Sequence, residues 1–596
     1  MPERLLAEFP PTTTARWKEE ILADLKGADY NRLVWESDDG ITVQPFYREE
    51  DMAVLAHLGP APGEFPYVRG TRASNAWRIR EVIDEPDPAR ANERARKALA
   101  EGAEAIAFQA PPATADDVRA LIRDLNCPVH FEGGLPALRA IVETAAGVEG
   151  SLGYDPHMDG VAPGDGDEIA ELVKRAARNA PLFRPVTVKA HRLHDAGATT
   201  VQELGYAITA GIDYLDGFTA RSLTVDQAAR ALVFSFAAGS NFFFEIAKLR
   251  AARLLWAHAV EAFGPKDRDS AKALVHVRGS RFNKTVYDPY VNILRATTET
   301  ISGAIGGCDS METVPFDEPY KSPDDFSRRL ARNTQLILKK ESWFDRSVDP
   351  AGGAWYVEAL TGSIAREAWK LIQQVENAGG FHTAWQNGTI RDEIARSRAA
   401  KQAAIASRRR TLVGTNRYAN SEERMLGRIE RNISPRAAEV FERIRLRTER
   451  HAEKTGRAPL FLLAEMGDLK MRKARSGFAA DFFACAGFAT RSEYFADAAA
   501  LQAALAGGGI DAVVLCSADD EYAALVPIAV AAAQAPSPAR TVAGESARPT
   551  GVPVIVAGNP KNAAELRNAG AADFIHLKTN AAETLSAWQA RLGMEE

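Results

Sequence analysis

Only four cysteines occur in the 596 residues, Cys127, Cys308, Cys485 and Cys516, and no two form a CxxC pair. That spacing gives neither a disulfide framework nor the paired ligands of a zinc site, and it reads as free thiols in a reducing cytosol. No uninterrupted apolar run is long enough to span a bilayer. The opening MPERLLAEFPPTTTARWKEE lacks an apolar core of signal-peptide length. A soluble cytoplasmic protein is therefore expected. A basic excess is missing too: the formal net charge of -6 argues against a nucleic-acid protein.

The length exceeds one ordinary core and suggests two to four domains, one of them a large barrel. The stretch around which the rest is organised is SNFFFEIAKLRAARLL, Ser240 to Leu255, running on to Phe263 and stopping at Gly264-Pro265. Phe243, Ile246, Ala247, Leu249 and Leu254 recur at three- and four-residue steps. They mark one buried face of a long helix, with Lys248, Arg250 and Arg253 at its margins.

In chain order, residues 1–60 read as an arm. It holds a Thr-rich cap, an amphipathic helix closed by Gly27, and a short β-turn-β piece, too little to bury a core alone. Residues 61–390 alternate short apolar runs with Ala- and Arg-rich helices such as Ala89 to Gly102 and Asp167 to Asn179. Strands are expected at Ala105–Phe108, Val129–Phe131, Val186–Val188, Tyr214-Leu215 and Leu274–Val277. Repeated βα units over this length give a (β/α)8 TIM-type barrel, with an open doubly wound sheet as the alternative. Residues 391–455 are charged helix formers, read as exposed helices linking two bodies, and Arg408-Arg409-Arg410 reads as a solvated or subunit-facing helix end. Residues 456–596 form a five-unit βα series, a flavodoxin-like doubly wound domain. Its strands fall at Leu460–Leu463, Thr490–Tyr494, Ala512–Leu515, Val552–Val556 and Phe574–Leu577. Its helices include Asp497 to Leu505 and Ala581 to Leu592, and the Pro/Ala/Ser-rich stretch from Ala531 to Pro549 reads as a mobile loop.

The NFFFEIAKLRAAR run resembles the signature of coenzyme-B12-dependent acyl-CoA mutases, in particular the methylmalonyl-CoA mutase family. DLKGADY and PFYREEDM near the N-terminus, FSRRLARNTQLIL (Phe326 to Leu338) and VDPAGGAWYVE (Val348 to Glu358) extend the resemblance over nearly the whole chain. It implies a barrel whose interior admits a CoA tail, and a C-terminal domain of cobalamin-binding type. In that family a D-x-H-x-x-G loop after the first strand of the small domain supplies the lower cobalt ligand. Here the loop reads DLKMRKARSG: Asp468 is kept, but Lys470, Met471 and Arg472 follow without a histidine, and the one histidine beyond residue 455 is His576. A protonated cation cannot ligate cobalt.

The family's barrel motifs are altered as well. The tyrosine of its R-G-P-Y-A run corresponds to Arg72, and the histidine of its S-G-Y-H-M-Q-E-A-G-A stretch to Arg192, with His191 and His194 as neighbours out of register. Its T-H-S-Q-T-S-G and Q-S-L-H-T-N segments become Val275 to Arg281 and Asp309 to Val314.

The resemblance therefore implies the non-catalytic small subunit of a heterodimeric mutase. Such a chain would have no catalytic, cofactor-binding or metal residues of its own, and adenosylcobalamin would sit in a catalytic large subunit. Two alternatives stand beside it. One is an active acyl-CoA mutase with altered substrate and base-on cobalamin, in which Arg72 and Arg192 bind an acid. The other is a regulatory module for a CoA ester or nucleotide. His191 and His194 are not read as a metal pair, because a strand would turn them apart. His157 is a lone loop histidine, Gly507 to Gly509 a helix end, and Asp519-Asp520-Glu521 a helix N-terminus.

Overall fold

The structure is a computed structural model that describes residues 8, 12–144, 146–160, 162, 164–431, 435–535 and 551–594. Most of the loop expected between Ala531 and Pro549 lies outside the described residues.

Eight parallel strands form a barrel: β1 (Arg78–Ile83), β2 (Ala105–Phe108), β3 (Val129–Glu132), β4 (Gly150–Gly153), β5 (Val186–Val188), β6 (Leu232–Ala238), β7 (Val275–Gly279) and β8 (Ser310–Glu312). Hydrogen-bonded neighbours run β4-β3-β2-β1-β8-β7-β6-β5, and the two-residue strand Phe183–Arg184 pairs in parallel with β4 at its free edge. The ring closes between β4 and β5, where the Thr187 amide donates to the Tyr154 carbonyl at 2.9 Å and Thr187 Oγ1 donates to the Leu152 carbonyl at 2.6 Å. Alternate residues face outward and are apolar. Val129, Phe131, Phe234, Phe236, Val275 and Val277 pack on the surrounding helices in one continuous core. Tyr214 and Leu215, expected in a strand, lie instead in the helix Thr200–Thr219. That helix is buried on nearly every side, so its apolar residues show no single face in the sequence.

The organising helix spans Phe242–Ala262 and packs against the helices Thr200–Thr219, Val291–Ile305 and Trp355–Asn377. Its three cations are not marginal, as the periodicity suggested; Lys248, Arg250 and Arg253 are all buried. Lys248 Nζ sits 2.6 Å from Glu203, 2.5 Å from Glu245 and 2.7 Å from the Ala237 carbonyl, tying the helix to β6. Arg250 reaches Glu358 at 2.6 Å and also pairs with Asp349. Arg253 donates to the carbonyls of Tyr67, Val68 and Gly307 at 3.0–3.1 Å. Phe243, expected inside, is about half exposed.

The C-terminal sheet comprises β9 (Leu460–Glu465), β10 (Ala489–Tyr494), β11 (Ala512–Cys516), β12 (Val554–Val556) and β13 (Ala571–Phe574), in the parallel order β10-β9-β11-β12-β13. This is the flavodoxin-like order, with an apolar cluster on each face. The last strand ends where it was expected to begin, and Leu577 is exposed.

Between the two sheets, the helix Glu439–Thr455 is not the exposed connector the charges suggested. Its Glu442 accepts from the Val286 amide at 2.7 Å and from Arg436 at 2.6 Å, and its Glu449 accepts from the Tyr287 hydroxyl at 2.7 Å. Gln589 of the last helix donates to its Ile444 carbonyl and Thr448 hydroxyl. Arg408 is not solvated either. It pairs with Asp481 and lies over the Phe478 and Phe482 rings, while Arg410 pairs with Asp38 of the arm. Periodicity cannot reveal these contacts, because all the partners except Arg436 are distant in sequence.

Candidate functional site

A barrel of this kind carries its chemistry at the C-terminal ends of its strands, and a doubly wound sheet carries it where the strand order reverses. This chain's own side chains occupy the barrel axis and the reversal point, while clefts stay open beside the axis at the C-terminal mouth.

The barrel axis is polar. Arg80, His130, Glu132, Ser151, Thr187, Ser235, His276, Arg278 and Glu312 alternate with the outward apolar residues and point inward. Across strands, His130 Nδ1 and Ser151 Oγ are 2.8 Å apart, and His276 Nδ1 and Ser310 Oγ are 2.9 Å apart. Burial, reinforced by the Arg80 guanidinium, pushes His130 and His276 well below the usual imidazole range, and burial with Arg278 does the same to His191. Burial also lowers Arg80 to about 10. Around Ser151, Thr187, His191 and Ser235 a cavity of only about 30 Å³ stays open, while Arg80, Arg278 and Glu312 also face a wider cleft beside the axis. The axial cavity has no room for an acyl thioester or its tail.

Arg72 and Arg192 lie at opposite ends of the barrel. Arg72 bonds Asp309 at 2.9 Å, and the other Asp309 oxygen accepts from the Val275 amide at the start of β7, so this is the N-terminal rim. Arg192 follows β5 on the short helix Ala190–Asp195 and pairs with Asp159 at 2.5 Å, at the C-terminal mouth. No single acid-binding site contains both. His191 and His194 share this helix, contrary to the expected extended geometry. They bond separately, His191 to the Ser235 carbonyl and His194 to Ser280 at 2.9 Å and Glu203 at 3.4 Å. Among the described residues no group of three or more His, Cys, Asp and Glu is arranged to hold a metal ion. His157 stacks on Tyr214 and meets His382 at 3.2 Å, a contact that spacing alone gave no sign of.

In the C-terminal sheet the order reverses between β9 and β11. There Asp468 caps the helix Leu469–Ala484: its carboxylate accepts from the Met471 amide at 2.8 Å, so the stretch from Lys470 onward is helix rather than loop. Lys470 is exposed, and Arg472 lies over the Tyr494 ring while donating to the Gly467 carbonyl at 2.7 Å. The crevice itself holds Glu521, which accepts from the Asp468 and Ala518 amides and from Ser517 Oγ. Arg475 pairs with Asp519 at 2.9 Å and Lys473 with Glu465 at 2.7 Å across the same rim. Gly467, at positive φ, has no space for a side chain, since a Cβ there would overlap the Glu521 carboxylate.

An eight-stranded parallel barrel followed by a flavodoxin-like sheet defines a two-body α/β class in which the second sheet carries a ligand crevice at its reversal point. The comparisons narrow this class. The methylmalonyl-CoA mutase family profile matches residues 36–119 and 163–481, and the chain belongs to that family. It is 38% identical to the methylmalonyl-CoA mutase small subunit of Porphyromonas gingivalis over 632 aligned positions, covering 99% of each chain. It is 34% identical to the small subunit of Streptomyces virginiae, over 87% of this chain and 90% of that one. Against the methylmalonyl-CoA mutase of Cereibacter sphaeroides the identity is 31%, over 73% of this chain and 68% of that one.

The cofactor associated with the fold does not fit the residues present. The reversal-point crevice offers a capping carboxylate, an ammonium and guanidinium groups, none of which gives cobalt a neutral nitrogen, and Glu521 occupies its floor.

Proposed function

We propose that this chain is the non-catalytic, stabilising small subunit of a methylmalonyl-CoA mutase, held in a heterodimer with a catalytic large subunit. In that assembly the large subunit carries adenosylcobalamin and interconverts (R)-methylmalonyl-CoA and succinyl-CoA by a radical route. This chain contributes the fold and not the chemistry, and Arg72, Arg192 and the segment Asp468 to Arg472 are residues of a lost site. The observation that carries the reading is the β9/β11 crevice, closed by Glu521 and the Arg475–Asp519 and Lys473–Glu465 pairs. The filled barrel axis supports it, because a radical reaction needs a fitted cavity that excludes water around its substrate.

The arm, residues 1–60, supports the pairing. The helix Thr14–Asp24 buries none of its residues, and Trp17, Leu22, Leu33 and Trp35 of the arm are all exposed. Four large apolar side chains left about two-fifths to one-half exposed on one short arm favour a protein contact there. We assign the arm to the large subunit, the body from 61 to 390 to the barrel, residues 391–455 to the linker and residues 456–596 to the degenerate cobalamin-type domain. Co-expression with a large mutase subunit tests the pairing: a one-to-one complex with activity absent from either chain alone is expected. A chain that isomerises methylmalonyl-CoA unaided contradicts it.

A further inference from the structure

At the C-terminal ends of β1, β7 and β8, to one side of the plugged axis, lies a cleft of about 360 Å³. It falls within the range of small-molecule pockets. One wall is the helix Asp325–Lys340, the rim comes from the linker, and Pro315, Pro319 and Pro323 form a rigid apolar side. Eight arginine and lysine side chains line it against four carboxylates.

Each of the four carboxylates is already paired. Glu81 is 2.5 Å from Arg332, Asp84 is 2.9 Å from Arg328, Glu312 is 3.3 Å from Arg278, and Glu318 pairs with Arg281. Lys284 and Arg436 are neutralised from behind the wall by Glu299 and Glu442. Among the described residues, two guanidinium groups have no carboxylate in ion-pair range, Arg80 inside and Arg431 at the rim, the latter bonded to Ser322 Oγ at 3.0 Å. The Nε atoms of Arg80, Arg278 and Arg328 are buried without a hydrogen-bond partner. Buried donors of this kind call for an acceptor, and a guanidinium fork matches an oxyanion.

We propose that this cleft binds a small organic polyanion, one bearing a phosphate, diphosphate or dicarboxylate group, with Arg80 and Arg431 gripping the charged end and the proline wall holding the carbon skeleton. The cleft includes Arg278, Arg281, Glu312 and Thr313 of the altered segments Val275 to Arg281 and Asp309 to Val314, lies apart from Arg72, Arg192 and Asp468, and the proposal does not rest on pairing with a large subunit.

Calorimetric titration of the purified full chain, alone and in complex with a large subunit, with inorganic pyrophosphate and with succinate, tests the proposal. Saturable binding of at least one probe is expected, weakening as salt rises. Binding of pyrophosphate alone assigns a phosphate ligand, and binding of succinate alone a dicarboxylate. Arg80→Gln should weaken binding by about tenfold or more, the loss expected for one charge-assisted contact. Arg431→Gln, on an exposed side chain that leaves the fold intact, should weaken it several-fold, while Lys370→Gln, on the helix Trp355–Asn377 that lines no part of the cleft, should leave it unchanged. Absence of saturable binding of either probe, or equal binding by the parent chain and Arg431→Gln, overturns the assignment.

Discussion

Arg250 on the organising helix and Glu358 on the helix Trp355–Asn377 meet at 2.6 Å with both side chains almost completely buried. The two residues belong to two of the runs that carry the family resemblance, AKLRAAR and VDPAGGAWYVE, so those runs are joined by one ion pair. Asp349, Arg69 and His57 complete the cluster. Burial raises the Glu358 carboxyl, but the hydrogen bond from His57 and the Arg250 charge outweigh it and bring the group down to about 2. What the family signature preserves in this chain is a structural joint.

Breaking that joint from one side leaves a buried charge uncompensated. Arg250→Met should destabilise the chain by about 3 kcal/mol, the lower end for a broken buried pair, because Arg69 still faces Asp349 and Glu358. Urea unfolding of parent and variant checks it. An unchanged midpoint would remove the pair from the account.

The filled barrel axis gives a pH signature. His130, His191 and His276 are held neutral in the fold, with pKa values well below those of the unfolded chain. Unfolding therefore takes up protons once the pH drops below about 6.5, the ordinary imidazole value, and stability falls with pH in that window. Each such group contributes a slope of about 1.4 kcal/mol per pH unit. Glu358, held low in the fold, adds a further loss from about pH 4.3 downward. Denaturant midpoints at pH 7.5, 6.5 and 5.5 should decline, and His276→Asn should shallow the decline. A flat profile would contradict a buried neutral axis.

Restoring one histidine should not restore a cobalt site. Lys470→His places an imidazole on the first turn of a capped helix, while Glu521 still fills the crevice. Visible spectra of the variant with adenosylcobalamin should match those of free cofactor. A histidine-ligated spectrum would show that the crevice opens more easily than its ion pairs imply.

The arm should serve the partner and not the fold. Trp17→Ser with Leu22→Ser should cost the isolated chain only the local stacking of Trp17 on Phe46 and under Arg48, about 1 kcal/mol, and leave the barrel and the C-terminal sheet intact. The same pair should weaken association with a large subunit by about tenfold or more, as expected for anchor residues. Sedimentation of the mixed subunits measures the second effect. Equal association would move the interface elsewhere.

The parts of the fold that repeat locally were legible. The long helix at Phe242–Ala262, the Thr13-capped arm helix and strands with strong apolar runs such as Ala512–Cys516 lie where their patterns put them. Strands whose inward positions carry charge were not. In Arg78–Ile83 the arginines and glutamate interrupt any apolar pattern, because the barrel encloses a polar axis rather than an aliphatic one. Gly150–Gly153 is too short and too rich in glycine to register. The helix Thr200–Thr219 hid its period by being buried all round.

At the candidate site the missing histidine of the Asp468 loop could be read directly. What fills the space was not legible, because Glu521 lies 53 residues beyond Asp468 in the sequence. Arg80, one of the two cleft cations without a carboxylate partner among the described residues, gave no signal either. Nothing in RIREVI distinguishes an inward guanidinium from a surface one.

We propose that this chain has the mutase fold without the mutase cofactor site. The most direct measurement is the visible absorbance of adenosylcobalamin titrated with the purified chain, alone and then with a large mutase subunit. The expected result is an unchanged spectrum with the chain alone, and cofactor binding with activity once the large subunit is added. A bound cobalamin with altered cobalt coordination on this chain alone would contradict the account.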